Sequence, residues 1–505
     1  MRAMRRITDA LSRRPDVVFW LIAAYYVVAV VARVLRSEGL QTDEGEQLFQ
    51  SQFLLMGYGR QPPFYNWLQY GAIHVLGPSI FALSLVKNLL LLLCCLFYGL
   101  AARLVLKDTA LPFAAMLGVV ALPAISVLAQ RDLSHAVATM FAVSLFFYAY
   151  LLTLTRPSLW SYLLTGMAVG IGVISKYNFV IVPLAALLAI LPETELRKRL
   201  FDWRLIPALV LAAAICVPHM LWVLQNVSTA TSGTIDAMRA DATGNPMLDR
   251  LTGLFMLLVA ALESALPILA FFLIAFRRDL IQAWKTETLW TRVIGRALLM
   301  SLVLVGLIGI GFGATTISQK WLSPFLLLLP LYLCLKLDAA GAETARPTAR
   351  LAWPVSLLAF GFVLYLALGN LVGPLIGRQP KENLPSVPFI RQVLAERGLG
   401  AEPAYIIAAD PALAAAARLA APEARIVLPS FTQAPPLEAS TAKAQGLVIW
   451  KAEPDKAELP ESVRTFLAAL GLPSVGLLPA VLTVPYLFSG GRDKASFGYA
   501  WIGAS

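Results

Sequence analysis

Asp43, Glu44 and Glu46 place three carboxylates within four positions, directly after a long apolar stretch. Acids at a membrane edge are costly unless they face water, pair with a cation or do chemistry. A carboxylate within hydrogen-bond reach of a hydroxyl takes its proton as the oxygen attacks, which is general-base work. Few other polar residues interrupt the apolar sequence: Arg131 and Asp132, then Ser175, Lys176 and Tyr177, then His219 and Gln225, then Ser318, Gln319 and Lys320. Acids and bases gathered at one membrane face make a site able to pull a proton from a hydroxyl and hold a phosphate.

Each of these residues also has a plainer reading. His219 follows Pro218 at a helix end, where a hydrogen-bonded structural histidine is the commoner case. Asp132 beside Arg131 is what an ion pair capping the next helix looks like, since an acid near a helix N-terminus is favoured. Lys320 precedes a Trp and an apolar span, a position that snorkelling explains. The acidic run itself reads equally as a solvated loop.

A membrane-spanning framework must position them. The chain has 505 residues, of which 58% are hydrophobic and 14% charged. Soluble domains run at about 45–50% and 25%, so this is an integral membrane protein surrounded by lipid. The net charge of +11 comes from short basic clusters between apolar spans rather than from one basic face. That distribution excludes a nucleic-acid partner. Cys94, Cys95, Cys216 and Cys334 all fall in apolar runs and read as small core residues, not as a disulfide framework or metal site.

Apolar spans lie at about 17–34, 80–100, 111–129, 133–154, 159–174, 179–191, 205–224, 251–276, 297–317, 321–335 and 351–371. That predicts eleven crossings, with the fifth and sixth short enough to be tilted or a re-entrant pair. Arg2, Arg5, Arg6, Arg13 and Arg14 precede the first span, which reads as an uncleaved anchor with a cytoplasmic N-terminus. Alternate loops carry basic residues, from Arg103 and Lys107 through Arg156, Arg197–Arg199 and Arg277–Arg278 to Lys336, Arg346 and Arg350. The charge pattern therefore puts the first loop, 35–79, and everything after 371 on the outer side. In the inner membrane of a bacterium that side is the periplasm, and the polar residues above share it. Pro62, Pro63, Tyr58, Phe64, Tyr65 and Trp67 make 41–67 read as a loop along the interface. The spacing of Gly166, Gly170 and Gly172 lets helices approach closely.

The tail, 372–505, forms a second domain after a transmembrane domain over 1–371. Short runs at 404–410, 424–429 and 446–452 alternate with helical stretches at 411–420 and 461–470, the rhythm of a small α/β domain. Gly490 and Gly491 read as a turn. No phosphate-binding glycine fingerprint occurs in it.

Five stretches carry a resemblance: Asp43-Glu44 after the first span, GYGRQPPFYNWL at 57–68, GIGVISKYN at 170–178, PHMLWVLQN at 218–226 and SQKWLSPFLLLLPLYL at 318–333. Together they resemble the GT-C glycosyltransferases, and within them the group of protein mannosyltransferases, aminoarabinose transferases and bacterial lipopolysaccharide galacturonosyl transferases. The likeness covers roughly residues 17–340. It implies an enzyme that takes a sugar from a polyprenyl-phosphate donor and passes it, with inversion, to an acceptor hydroxyl at the periplasmic face. The acceptor would be an envelope glycolipid such as the lipid A or core region of lipopolysaccharide, or a protein.

The resemblance places Asp43 at the reacting centre with Glu44 beside it, and Asp132 matches the acid that the family carries before its fourth span. Lys320, then Lys176 and Arg131, are the cations for the leaving phosphate, and Tyr177, His219, Gln225 and Tyr58 complete the substrate-binding set. Glu44, Glu46 and Asp132 are oxygen ligands of the kind Mg²⁺ or Mn²⁺ takes, which leaves metal dependence open. One departure is Lys87-Asn88, where many relatives carry an Arg whose planar fork Lys does not reproduce. A transporter or lipid-carrier flippase is the alternative from another class, and it would show repeated halves and broken helices near the midplane. No internal repeat is visible.

Overall fold

In a hydrocarbon environment the backbone has only itself to bond to, so long apolar runs fold as helices. The computed structural model describes residues 2–398, 402–438, 441, 444–454, 456–472 and 477–503. Among them, eight helices are long and apolar enough to cross a bilayer: Val17–Leu35, Ile80–Val105, His135–Thr155, Leu205–Gln225, Pro246–Phe276, Leu289–Phe312, Gln319–Ala339 and Ala345–Ile376. A ninth span results if Leu111–Val120 and Ala124–Arg131, bent by 54°, count as one. Pro123 sits at that bend, where a missing N–H and a ring clash break the helix. Leu159–Val173 and Tyr177–Ile190 are apolar but shorter. All eleven apolar stretches are thus helical, and length and composition alone make eight or nine of them crossings.

The chain packs as two compact units, one of Met1–Ala29, Met56–Tyr65 and Lys87–Val363, the other of Val30–Leu55, Asn66–Val86 and Leu364–Ser505. In the first, small residues set helix spacing as their pattern predicts. A Cβ on Gly166 would lie 2.1 Å from the Ala208 carbonyl oxygen, and one on Gly170 would lie 2.8 Å from Ile215 Cβ. Tyr98 closes a gap in backbone bonding near Pro330, donating to the Leu327 carbonyl and accepting from the Leu331 N–H.

The second unit holds a five-stranded sheet of β1 (Tyr405–Ala408), β2 (Arg425–Val427), β3 (Gly446–Lys451), β4 (Ala480–Pro485) and β5 (Lys494–Ile502). Its order is β2-β1-β3-β5-β4. β1 pairs parallel with β2 and β3, whereas β5 pairs antiparallel with β3 and β4. The α/β reading of the tail holds for β1 to β3 and for helices Pro411–Ala420 and Glu461–Ala469. The β4–β5 hairpin adds to that reading, and Gly490 and Gly491 turn in it at φ 62° and 82°. One sheet face packs Ile406, Leu447, Ile449 and Phe497 against Phe389, Leu413 and Ala417. The other packs Tyr405, Val448 and Trp450 against Val463 and Leu467.

Residues 41–67 are not one interfacial loop. Thr42–Gln50 and Phe64–Leu76 are helices. The first has only Leu48 and Phe49 as large apolar residues, yet both are buried. Phe49 and Phe53 join the core beside the sheet, and Leu48 packs with Ile73 and Leu83. Tertiary burial of that edge, rather than intrinsic propensity, holds so short a helix.

Candidate active site

In the second unit, the acidic helix is fixed at its first turn. Arg33, near the end of the first apolar helix, donates to both oxygens of Glu44, with Nη2 to Oε2 at 2.8 Å and Nε to Oε1 at 3.1 Å. The same guanidinium bonds the carbonyls of Ser37 at 3.1 Å and Gly39 at 2.9 Å. Glu44 also accepts from the Gln41 backbone N–H at 3.3 Å. This satisfies a helix-start donor that would otherwise lack a partner. A bidentate arginine pair of this kind sets geometry as well as energy. Both oxygens of Glu44 are therefore taken, and Asp43 stands one residue earlier, half-buried.

The connection between Arg33 and the helix is tied to the tail. Arg36 pairs with Glu382 and bonds the Asn370 side chain at 3.1 Å. Burial lowers the Arg36 pKa, and the neighbouring Arg33 charge lowers it further while Glu382 opposes the shift. On the far side of the acidic helix, Gly45 faces Ala415 of the Pro411–Ala420 helix so closely that a Cβ would lie 3.2 Å from Ala415 Cβ. A cavity of about 660 Å³, lined by Gln41, Thr42, Gly45, Lys381, Asp410 and Lys451 among others, opens there. At about 100° per residue this is the side turned roughly opposite to Asp43, so the cavity does not coincide with the acid.

In the first unit, several of the predicted polar residues join one network at the helix ends. His219 is fully buried. Its Nδ1 lies 2.7 Å from the Met56 carbonyl, and Nε2 lies 3.1 Å from Tyr177 Oη. A carbonyl only accepts, so Nδ1 carries the proton and Tyr177 donates to Nε2. The His219 ring stacks between Tyr177 and Trp222, with centroids 5.8 and 5.9 Å away. Gly57 lies flat on Trp222, where a Cβ would come within 2.3 Å of the indole. The Phe64 N–H bonds the Ile174 carbonyl at 3.0 Å, the His135 ring bonds the Pro62 backbone, and Asn178 donates to the Trp321 carbonyl at 3.2 Å. Loop 56–65 is thereby stitched to segments 134–135, 174–178 and 219–222, and 178 to 321.

Within that network Tyr58 is buried and Lys176 half-buried, and the Lys176 charge is close enough to act on His135. Arg131, Gln225 and Lys320 are exposed. Their side chains make no hydrogen bond or ion pair among the described residues. Asp132 is half-buried in extended backbone at φ −170° after the Ala129–Arg131 turn, and the cap position of the His135–Thr155 helix is Ser134. Among the described residues no three His, Cys, Asp or Glu side chains group as an ion requires. Glu44 is held by Arg33, and Glu46 accepts from Gln50 at 3.0 Å.

Arg33 and Gln47 are not among the residues singled out from the sequence, and Lys87 entered there only as a departure from the family pattern. Arg33 and Lys87 lie inside apolar helices yet are 5% and 3% exposed. A buried cation in an apolar span was itself the available signal.

The model of the dolichyl-phosphate-mannose-protein mannosyltransferase family matches residues 60–222. Across nearly the whole chain there are closer relatives. The lipopolysaccharide core galacturonosyltransferase RgtA of Rhizobium johnstonii is 41% identical over 95% of this chain and 96% of its own. RgtB of the same organism, also named a lipopolysaccharide core galacturonosyltransferase, is 39% identical over 97% of this chain and 99% of its own. The crystal structure of ArnT from Cupriavidus metallidurans bound to undecaprenyl phosphate superimposes with a TM-score of 0.59, covering 95% of this chain and 97% of that one at 14% identity. That degree of identity shows a shared fold.

Proposed function

The chain belongs to the lipopolysaccharide galacturonosyltransferase family of GT-C glycosyltransferases, and on that premise we propose that it moves galacturonic acid from a polyprenyl-phosphate donor to a hydroxyl of the lipopolysaccharide core. The single observation that carries this reading is the end-to-end match to RgtA at 41% identity. A glycolipid acceptor is favoured over a protein because both end-to-end relatives are named for lipopolysaccharide. The protein mannosyltransferase model, by contrast, aligns with residues 60–222 alone. The basic clusters between spans support a periplasmic site and tail in the bacterial inner membrane.

Asp43 takes the acceptor hydroxyl proton as that oxygen attacks the anomeric carbon. The new carbon–oxygen bond forms while the bond to the phosphate oxygen breaks, and polyprenyl phosphate departs with the electron pair. One displacement of this kind inverts the anomeric centre and needs no covalent enzyme intermediate. Glu44, with both oxygens on Arg33, positions the turn that carries Asp43. Charge growing on the departing phosphate is stabilised by a cation more in the transition state than before it. Arg131 and Lys320 are exposed cations whose side chains pair with nothing among the described residues, and Lys176 is the half-buried one. Solvent and salt screen a half-buried charge least. Asp132 and Tyr58 help to place the substrates, as Gln225 does at its helix end. Tyr177 and His219 hold loop 56–65 against the bundle.

Mass spectrometry of envelope glycolipids from cells with and without the protein tests this reading. The expected result is a species heavier by one galacturonic acid residue that disappears with the protein. Unchanged glycolipids together with an altered glycoprotein would shift the acceptor to protein, and no change in either would overturn the reading.

A further inference from the structure

The Thr42–Gln50 helix is buried on its polar face as well as its apolar one, and the polar face is not fully satisfied. At about 100° per residue, Asp43, Glu46, Gln47 and Gln50 fall within roughly one third of the helix circumference. Gln50 donates to Glu46 at 3.0 Å and accepts from Asn66 at 2.6 Å. Gln47 is 1% exposed, and among the described residues neither its amide oxygen nor its amide nitrogen has a hydrogen-bond partner. A buried amide with both ends unbonded costs stability, and natural structures rarely keep one without a use. Leucine or methionine would fill the same space without that cost.

Position gives the amide its use. Residues four apart are neighbours on a helix surface, so Gln47 lies one turn from Asp43. Burial deepens along the face, from half-buried Asp43 and Glu46 to closed Gln47. A carbohydrate that presents a hydroxyl to Asp43 meets Gln47 next. The amide supplies two donors and one acceptor oxygen, which suits hydroxyl groups that both give and accept.

We propose that Gln47 is a substrate-binding residue whose amide bonds hydroxyls of the sugar that reacts at Asp43. This rests on the reading of Asp43 as the base. Both the transferred sugar and the acceptor carry such hydroxyls, and either one bound at Asp43 lies one helical turn from Gln47. Because water is excluded there, the bonds it makes to a sugar are not diluted by solvent.

The test uses the full-length protein in detergent, polyprenyl-phosphate galacturonic acid as donor, and lipopolysaccharide from cells lacking the protein as acceptor. Gln47→Met keeps the length of the side chain and removes its polar atoms. Its thermal midpoint should be unchanged or higher, while kcat/KM falls at least about tenfold, the size of effect expected when a substrate hydroxyl loses its partner. Gln47→Asn, which keeps an amide, should retain more activity than Gln47→Met. The substrate whose KM rises is the one held, donor or acceptor.

A Gln47→Met enzyme within twofold of wild type overturns the inference. A lower midpoint or failure to fold also overturns it, because the amide is then structural. Asp43→Asn run alongside separates the two levels. If Asp43→Asn still transfers, the reading of the site fails. If it is inactive while Gln47→Met is unimpaired, only the role of Gln47 fails.

Discussion

Arg33 and Glu44 form a buried bidentate ion pair, with side chains 6% and 7% exposed, that fixes the acidic helix to the end of the first apolar span. Removing one partner leaves the other charged and unpaired, at a cost of about 3–5 kcal/mol, whereas replacing both with apolar residues is often tolerated. Glu44→Leu and Arg33→Leu should each lower the thermal midpoint and reduce transfer. The double variant should be more stable than either single one. Thermal unfolding of the four proteins in detergent gives the coupling directly.

The connection between that pair and the helix leaves no room at Gly39, where a Cβ would lie 2.0 Å from the carbonyl oxygen of Glu382. Backbone does not yield as a side-chain tip does. Gly39→Ala should therefore destabilise by about 1–3 kcal/mol, the usual range for overpacking, and reduce transfer by displacing the residues that lead into the acidic turn. Thermal unfolding and an activity assay on the same preparation check both effects.

The sequence made the eleven apolar helices legible because each buries its own backbone bonds, a local property. β1, β2 and β3 were legible for a related reason, since Tyr405–Ala408 and Gly446–Lys451 are short apolar runs bounded by turn residues. The helix Thr42–Gln50 was not. TDEGEQLFQ shows almost no apolar period, and what holds it is distant in sequence: Arg33 for Glu44, and the tail core for Phe49. For the same reason Glu44 read as a second catalytic acid, because nothing local marks Arg33 as its partner. His219 could be placed at a helix end, but its bonds to Met56 and Tyr177 are tertiary.

Those bonds make His219 and Tyr177 a clamp on loop 56–65. Tyr177→Phe removes one hydrogen bond and should cost about 0.5–1.5 kcal/mol, with transfer kept within tenfold of wild type. His219→Ala should cost more, since it also leaves the Met56 carbonyl unpaired. If Tyr177→Phe abolished transfer at an unchanged thermal midpoint, the pair would belong to the chemistry instead.

Glu44 and Glu46 are both engaged by other side chains, and no three-ligand group forms among the described residues. Transfer by the purified protein should therefore survive excess chelator with its rate unchanged. Loss of activity on chelation, restored by Mg²⁺ or Mn²⁺, would return a metal to the mechanism.

In the proposed mechanism Asp43 takes the proton from the acceptor hydroxyl. Single-turnover transfer by purified Asp43→Asn, measured beside donor binding, tests it most directly, because Asn keeps the shape and removes the base. Donor binding should stay close to wild type while the transfer rate falls by at least about 10²-fold, the contribution of a positioned general base. An Asp43→Asn protein that transfers within tenfold of wild type would contradict it.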